Sequence, residues 1–145
     1  MGSFENQVLP KDPEQIAALK EPGPDGPIFM VNLLKFKERA KYKDGRKTDL
    51  SGREAYQLYA EAVMRILESV GGQLVFAGDV THLALGRVDE LWDEIAIARY
   101  PKRSNLLELM GLEAWQEAAV HREAGLEGQL LIETTMVPGL ARDLS

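Results

Sequence analysis

The clearest pattern in the chain is a nearly unbroken apolar run from Ile28 to Phe36, set between a proline- and glycine-rich lead and a long polar stretch. A strand buried on both faces reads this way, because neither side of its pleat meets water. Asn32 and Lys35 interrupt the run, and alternation sends them to opposite faces. The period then changes. Apolar and aromatic residues recur at Ala55, Tyr56, Leu58, Tyr59, Ala62, Val63, Ile66, Leu67 and Val70, one broad face at helical spacing. Ser51 followed by Glu54 marks a capping box at the start of this helix, and Gly71-Gly72 marks its end. Gln73 to Ala77 reads as a second strand, with a bend or bulge at Gly78-Asp79 and an extended continuation from Thr81 to Leu85. Asp93 to Tyr100 reads as a third strand, with Ile95, Ile97 and Arg99 on one side. Pro101 opens a second helical region that breaks near Gly111 into helices over 102–110 and 112–123. Gly125 is a stop signal, and Gln129 to Met136 reads as the last strand.

Ahead of these elements, Asp12-Pro13 reads as a helix start, with Gln15 placed for a capping box and the helix running to Lys20. The stretch Glu21 to Pro27 is too rich in proline and glycine for helix or central strand. Residues 1–26 are thus a lead-in, 27–136 one domain and 137–145 a tail. The order is β-α-β-β-α-β, an α+β, ferredoxin-like arrangement: an antiparallel four-stranded sheet with both long helices on one face. The strands carry apolar residues on both faces, so the uncovered face requires a partner. A second copy is the natural candidate, giving a homodimer paired as a dimeric α+β barrel whose interior offers a cavity for a small organic ligand.

Composition narrows the function classes. A chain of 145 residues, 45% hydrophobic and 28% charged, suits one globular domain. A net charge of -6 disfavours nucleic acid as a partner. Residues 37–50 run against that balance, with six basic residues facing three acidic ones. They form either a lid that attracts a carboxylate or a solvated loop with a turn, the tip of a small hairpin, at Asp44-Gly45. There is no cysteine and there are two histidines, so neither a metal site nor a cofactor is expected. No apolar run nears the roughly 20 residues of a membrane span, and Met1 to Leu9 has no secretory pattern, so a cytoplasmic location is expected.

Several side chains are candidates for chemistry. Asn32, an amide within an apolar strand, either orients a ligand or is satisfied by neighbouring backbone. His121 is either a general base or a cation that suits a helix C-terminus, with Arg122 beside it as a ligand contact. Arg99 needs an anion: Glu133 on the last strand, an anionic ligand, or solvent. Tyr56, Tyr59 and Trp92 either wall a pocket for an aromatic compound or serve as core with polar tips. Trp115 reads as core or interface, and His82 as structural or surface. No phosphate loop, dinucleotide fingerprint or Ser-His-Asp order is present.

The stretches Pro27 to Phe36, Ser51 to Tyr56, Val70-Gly71-Gly72, Trp92-Asp93-Glu94, Arg99-Tyr100-Pro101 and His121-Arg122 resemble the bacterial domain of unknown function 1330 family over residues 27 to 135. The resemblance implies the dimeric α+β barrel superfamily, whose members include cofactor-free monooxygenases, haem-degrading monooxygenases and muconolactone isomerase-like enzymes. In haem-degrading relatives an asparagine on the first strand and a histidine on the last helix flank the cofactor. Asn32 and His121 are similar in position, while the accompanying tryptophan has no counterpart. The functional expectations are a cofactor-independent monooxygenase- or isomerase-like enzyme with Asn32 and His121 as catalytic residues, a non-catalytic ligand-binding or stress-related dimer, or a haem-binding protein.

Overall fold

In a computed structural model, residues 12–140 and 142 are described, so expectations about residues 1–11 and most of the tail's end lie outside them. The chain runs α1 (Pro13–Ala18), β1 (Ile28–Phe36), α2 (Gly52–Ser69), β2 (Gln73–Asp79), β3 (Glu94–Tyr100), α3 (Arg103–Gly111), α4 (Glu113–Gly125) and β4 (Leu126–Thr134). The strands form one sheet in the order β2-β3-β1-β4, with every neighbouring pair antiparallel. This is the ferredoxin-like topology expected from the element order.

The side-chain period assigns the faces. Ile28 and Met30 of β1 share a core with Leu67 and Val70 of α2 and Leu106 and Leu109 of α3. Leu34 packs with Tyr56 and Leu126 in a second cluster. Even-numbered β1 residues therefore face the helices, and Phe29, Val31, Leu33 and Lys35 face away. Residues opposite each other on paired strands share a face. Ile95, Ile97 and Arg99 of β3, Leu130 and Ile132 of β4, and Phe76 of β2 thus join the outward side. Phe76 is 54% exposed and Ile132 45%, so this second apolar face is open in one protomer, as the strand composition implies.

α2 starts as its sequence predicts. The Ser51 hydroxyl accepts from Glu54 N, and the Glu54 carboxylate accepts from Ser51 N. The start of α2 then meets the end of α4 through two glycines. Lys37 N donates to Gly125 O at 2.8 Å, and Gly52 N donates to Lys37 O at 3.1 Å. A Cβ on Gly52 would sit 2.6 Å from Gly125 O, and one on Gly125 would sit 2.9 Å from Tyr56 N. Only glycine fits both positions.

The structure corrects some boundaries. β4 begins at Leu126 rather than Gln129, because α4 passes straight into the strand and Leu126 pairs with Phe36 around a bulge. Thr81 to Leu85 forms no strand. The ladder between β2 and β3 ends at Asp79 opposite Glu94, and one further bond from Val80 N to Asp93 O at 2.9 Å closes it before that segment begins. α1 ends at Ala18, and the Asp12 side chain caps it by accepting from Glu14 N at 2.9 Å. Residues 37–50 are anchored rather than loose. Arg39 bridges Ser51, Ala40 N donates to Leu50 O at 3.0 Å, and the turn closes from Gly45 N to Tyr42 O at 3.1 Å. Ala40 and Tyr42 are buried against Ala55 and Ala124. Three of this segment's six cations are in ion pairs: Arg39 with Asp49, Lys43 with Glu123 and Arg46 with Asp44.

Candidate functional site

Between the sheet and the helices runs a chain of polar side chains. Arg122 of α4 donates from Nε and Nη2 to the Gln129 side-chain oxygen at 3.1 and 2.6 Å. Gln129 donates to Asn32 Oδ1 at 2.7 Å. Asn32 Nδ2 donates to Met30 O and Ala96 O at 3.3 and 3.2 Å. Both ends force the amide orientations. A guanidinium only donates and the backbone carbonyls only accept, so each amide must present oxygen toward Arg122 and nitrogen away from it. Asn32 thus has both N–H groups committed to backbone, the satisfied alternative, and holds Gln129 in place for Arg122.

Aromatic rings from three elements line the same layer. Phe36, Tyr56 and Tyr59 stand in sequence with centroids 5.5 and 5.3 Å apart, and Trp115 meets Tyr59 edge-on at 6.5 Å. Trp115 Nε1 donates to the Tyr59 hydroxyl at 3.1 Å, which leaves the Tyr59 proton to be given elsewhere. Burial pushes the Tyr56, Tyr59 and Tyr100 phenols above the ordinary tyrosine range. They therefore stay protonated donors at any physiological pH. The Tyr59 hydroxyl lies close enough to influence both Tyr56 and Tyr100, and Arg122 acts on Tyr56 and Tyr59 in the opposite sense. Leu131, opposite Asn32 on the helix-facing side, is nevertheless 44% exposed, so the helical layer leaves this edge of the sheet uncovered.

The structure therefore brings together Asn32, Tyr56, Tyr59 and Arg122. They lie within one protomer, between sheet and helices, rather than in the space between two facing sheets. His121 turns elsewhere: its Nδ1 is 2.6 Å from the Tyr42 hydroxyl, and the two rings meet edge-on. Burial first, then the Arg46 cation, hold the imidazole below its usual range. Arg99 is not paired with Glu133. The two side chains leave opposite faces of the sheet, and Arg103 grips Glu133 with two bonds of 2.7 Å. Trp92 lies just before β3, beside Asp93, whose carboxylate accepts from Phe36 N at 2.9 Å and whose N–H donates to Leu34 O. His82 is exposed. Among the described residues no group of three or more His, Asp or Glu side chains is placed to hold a metal ion.

Four participants escape a reading of the sequence alone. Gln129 sits at the start of the strand expected there, and its partners on β1 and α4 are distant in sequence. Tyr100 alternates onto the helix side, where a tyrosine ordinarily reads as core. Trp115 reads as core, and only the Tyr59 contact assigns it a role. Glu94 faces the helices beside Arg53 at 3.5 Å. Burial, reinforced by Asp79, raises its carboxyl above the usual range despite Arg53.

Two solved structures of the RPA0582 protein match nearly the whole fold. The methylated form is 34% identical, with a TM-score of 0.81, covering 92% of this chain and 98% of that one. The other, described as a protein of unknown function from Rhodopseudomonas palustris, is 31% identical with the same TM-score and the same coverage. The chain belongs to the RPA0582 family. That family membership carries the fold across the whole domain, and the RPA0582 protein brings no activity with it. A dimeric ferredoxin-like protein of unknown function from Thermobifida fusca is 11% identical, with a TM-score of 0.45, covering 77% of this chain and 92% of that one. At that distance it bears on neither activity nor assembly. No family model matches the chain, and no curated protein matches it.

Proposed function

We propose that this chain is a small-molecule-binding protein whose site is the layer between sheet and helices, and that it takes an acceptor-rich ligand such as a small aromatic carboxylate. The observation that carries this reading is the set of phenols gathered beside Arg122. Tyr56, Tyr59 and Tyr100 are all held protonated, and a guanidinium acts on the first two. A cluster of donors with a cation nearby favours a ligand that brings oxygens and negative charge. The rings of Phe36, Tyr56, Tyr59 and Trp115 suit an aromatic body, and the uncovered edge at Leu131 offers an entrance. The blocks from Pro27 to His121-Arg122 support placing the chain in the domain of unknown function 1330 family. The open apolar face supports assembly as a homodimer.

Binding without turnover is favoured over a monooxygenase- or isomerase-like reaction by one feature. Asn32 has its amide hydrogens committed to backbone and His121 is engaged with Tyr42, so neither is presented as an acid or base on the Tyr59 side. The same engagement weighs against His121 as a haem ligand. Calorimetric titration with benzoate-like acids, quinones and hemin tests the reading. We expect an aromatic acid to bind, and Arg122→Gln to weaken it by about tenfold or more, the worth of a hydrogen bond to a charged group. Undiminished binding in both Arg122→Gln and Tyr59→Phe would place the ligand elsewhere.

A further inference from the structure

We propose that the bound ring lies in a trough crossing the helix side of the sheet, with its carboxylate at Arg122 and a hydrogen-bond donor on its opposite end at Glu94. The ligand is then an aromatic acid with a hydroxyl or amino group para to its carboxylate. This rests on the ligand-binding reading above and names the substituent that reading leaves open.

The trough shows in one row of residues. Ala77, Ala96, Asn32 and Leu131 stand opposite one another across β2, β3, β1 and β4, so all four face the helices. The middle of a covered face is ordinarily buried. Ala96 and Asn32, on the two central strands, are instead half-buried, and Ala77 and Leu131, at the two edges, are exposed. The rows on either side are closed near β1: Leu34 and Gln129 are buried in one, Met30 and Ala98 in the other. The helices thus span the sheet above Asn32 without filling the space, and the small side chains of Ala96 and Ala77 deepen it toward β2.

The two ends of the trough carry opposite charge. On the β4 side, Gln129 holds the Arg122 guanidinium. On the β3 side, Glu94 stands opposite Leu34, which stands opposite Gln129. Glu94 and Gln129 are therefore two strand spacings apart, about 10 Å. Asp79 stands opposite Glu94 on β2, and Arg53 bonds both, at 2.8 Å to Asp79 and 3.5 Å to Glu94. Two carboxylates sharing a guanidinium leave this end negative, and the longer bond leaves Glu94 the readier to accept another donor. Arg53 also stacks on the Phe36 ring at 4.6 Å, which ties this end to the aromatic wall. The Tyr56 hydroxyl feels both ends: Arg122 favours its ionised form and Glu94 opposes it.

A plain aromatic carboxylate would answer Arg122 and leave Glu94 facing a ring edge. A ring with a donor opposite its carboxylate bonds at both ends. A donor in the ortho position would lie at the Arg122 end, where the guanidinium already donates.

Calorimetric titration of the full chain with benzoate, para-hydroxybenzoate, ortho-hydroxybenzoate and para-methoxybenzoate tests this. We expect para-hydroxybenzoate to bind about tenfold or more tighter than the other three, since the methoxy group cannot donate. The ratio to benzoate should fall near one in Glu94→Leu and stay at a few-fold in Glu94→Gln, which keeps an accepting oxygen; native circular dichroism checks both variants. Equal binding of the four acids to wild type, or a para-hydroxyl preference undiminished in Glu94→Leu, overturns the inference and leaves the site in the layer standing. A wild-type chain that binds none of the four overturns both.

Discussion

The sharpest constraint on this molecule at the scale of single residues is the space between Gly52 and Gly125. A methyl group at either position meets backbone rather than a flexible side chain, so the helices would have to move apart. We expect Gly125→Ala to destabilise the chain by about 3 kcal/mol in denaturant unfolding, the upper range for overpacking a rigid contact. Gly52→Ala should act in the same direction. His121 gives a pH dependence. Its folded value lies below the unfolded one, through burial and Arg46, so protonation favours the unfolded state. Stability is therefore fully present above the ordinary histidine range and falls as pH drops through that range toward the folded value. Thermal melts between pH 5 and pH 8 should show this slope in wild type and a flatter one in His121→Gln. Among single residues, Asn32 was legible because an amide in an apolar strand must find partners. Gln129 and Tyr100 were not, because what distinguishes them is who stands opposite in the sheet. Arg99 was legible as a cation in need of an anion. Naming Glu133 as its partner failed on parity, since Arg99 and Glu133 leave opposite faces.

Among the elements, those with strong periodicity or caps are the ones the sequence located well. β1, α2 and β3 lie within a residue or so of their expected limits, because a run buried on both faces, a capping box and an alternating strand each leave a local mark. β4 was misplaced by three residues, because it starts directly from a helix with no loop to announce it. The stretch from Thr81 to Leu85 was misread because extended propensity does not make a strand unless the backbone pairs with a neighbour, and the ladder stops at Asp79. The lead-in is tied down by a device the sequence hides. Arg103 bonds Glu133 and also donates to Ala18 O and Glu21 O, at 3.2 and 3.4 Å. Gly23, at a positive φ of 70, leaves room for that guanidinium, since a Cβ there would sit 2.7 Å from Arg103 Nε. Arg103→Ala should release the segment from Pro13 to Glu21. Hydrogen exchange should then speed up there and stay unchanged in α2.

The whole molecule is a ferredoxin-like sheet with two unlike faces. The helix-facing side carries a polar relay and an aromatic wall, and the other side is apolar with charges at its ends. The element order predicted the topology, and the apolar residues on both faces of the strands predicted the second apolar face that one protomer leaves open. The site was harder to read, because a cavity between two sheets looked the natural place for a ligand. The parity of Asn32, Tyr100 and Gln129 sends them to the helix side instead. The central claim is that the ligand sits among Tyr59, Trp115 and Arg122 within one protomer, and Trp115 reports on it directly. In a Trp92→Phe background, where Trp115 is the one tryptophan left, titration with an aromatic carboxylate should change the emission saturably. Arg122→Gln should shift that curve to higher concentration. A ligand that binds by calorimetry while Trp115 emission stays constant would contradict the claim and move the site out of this layer.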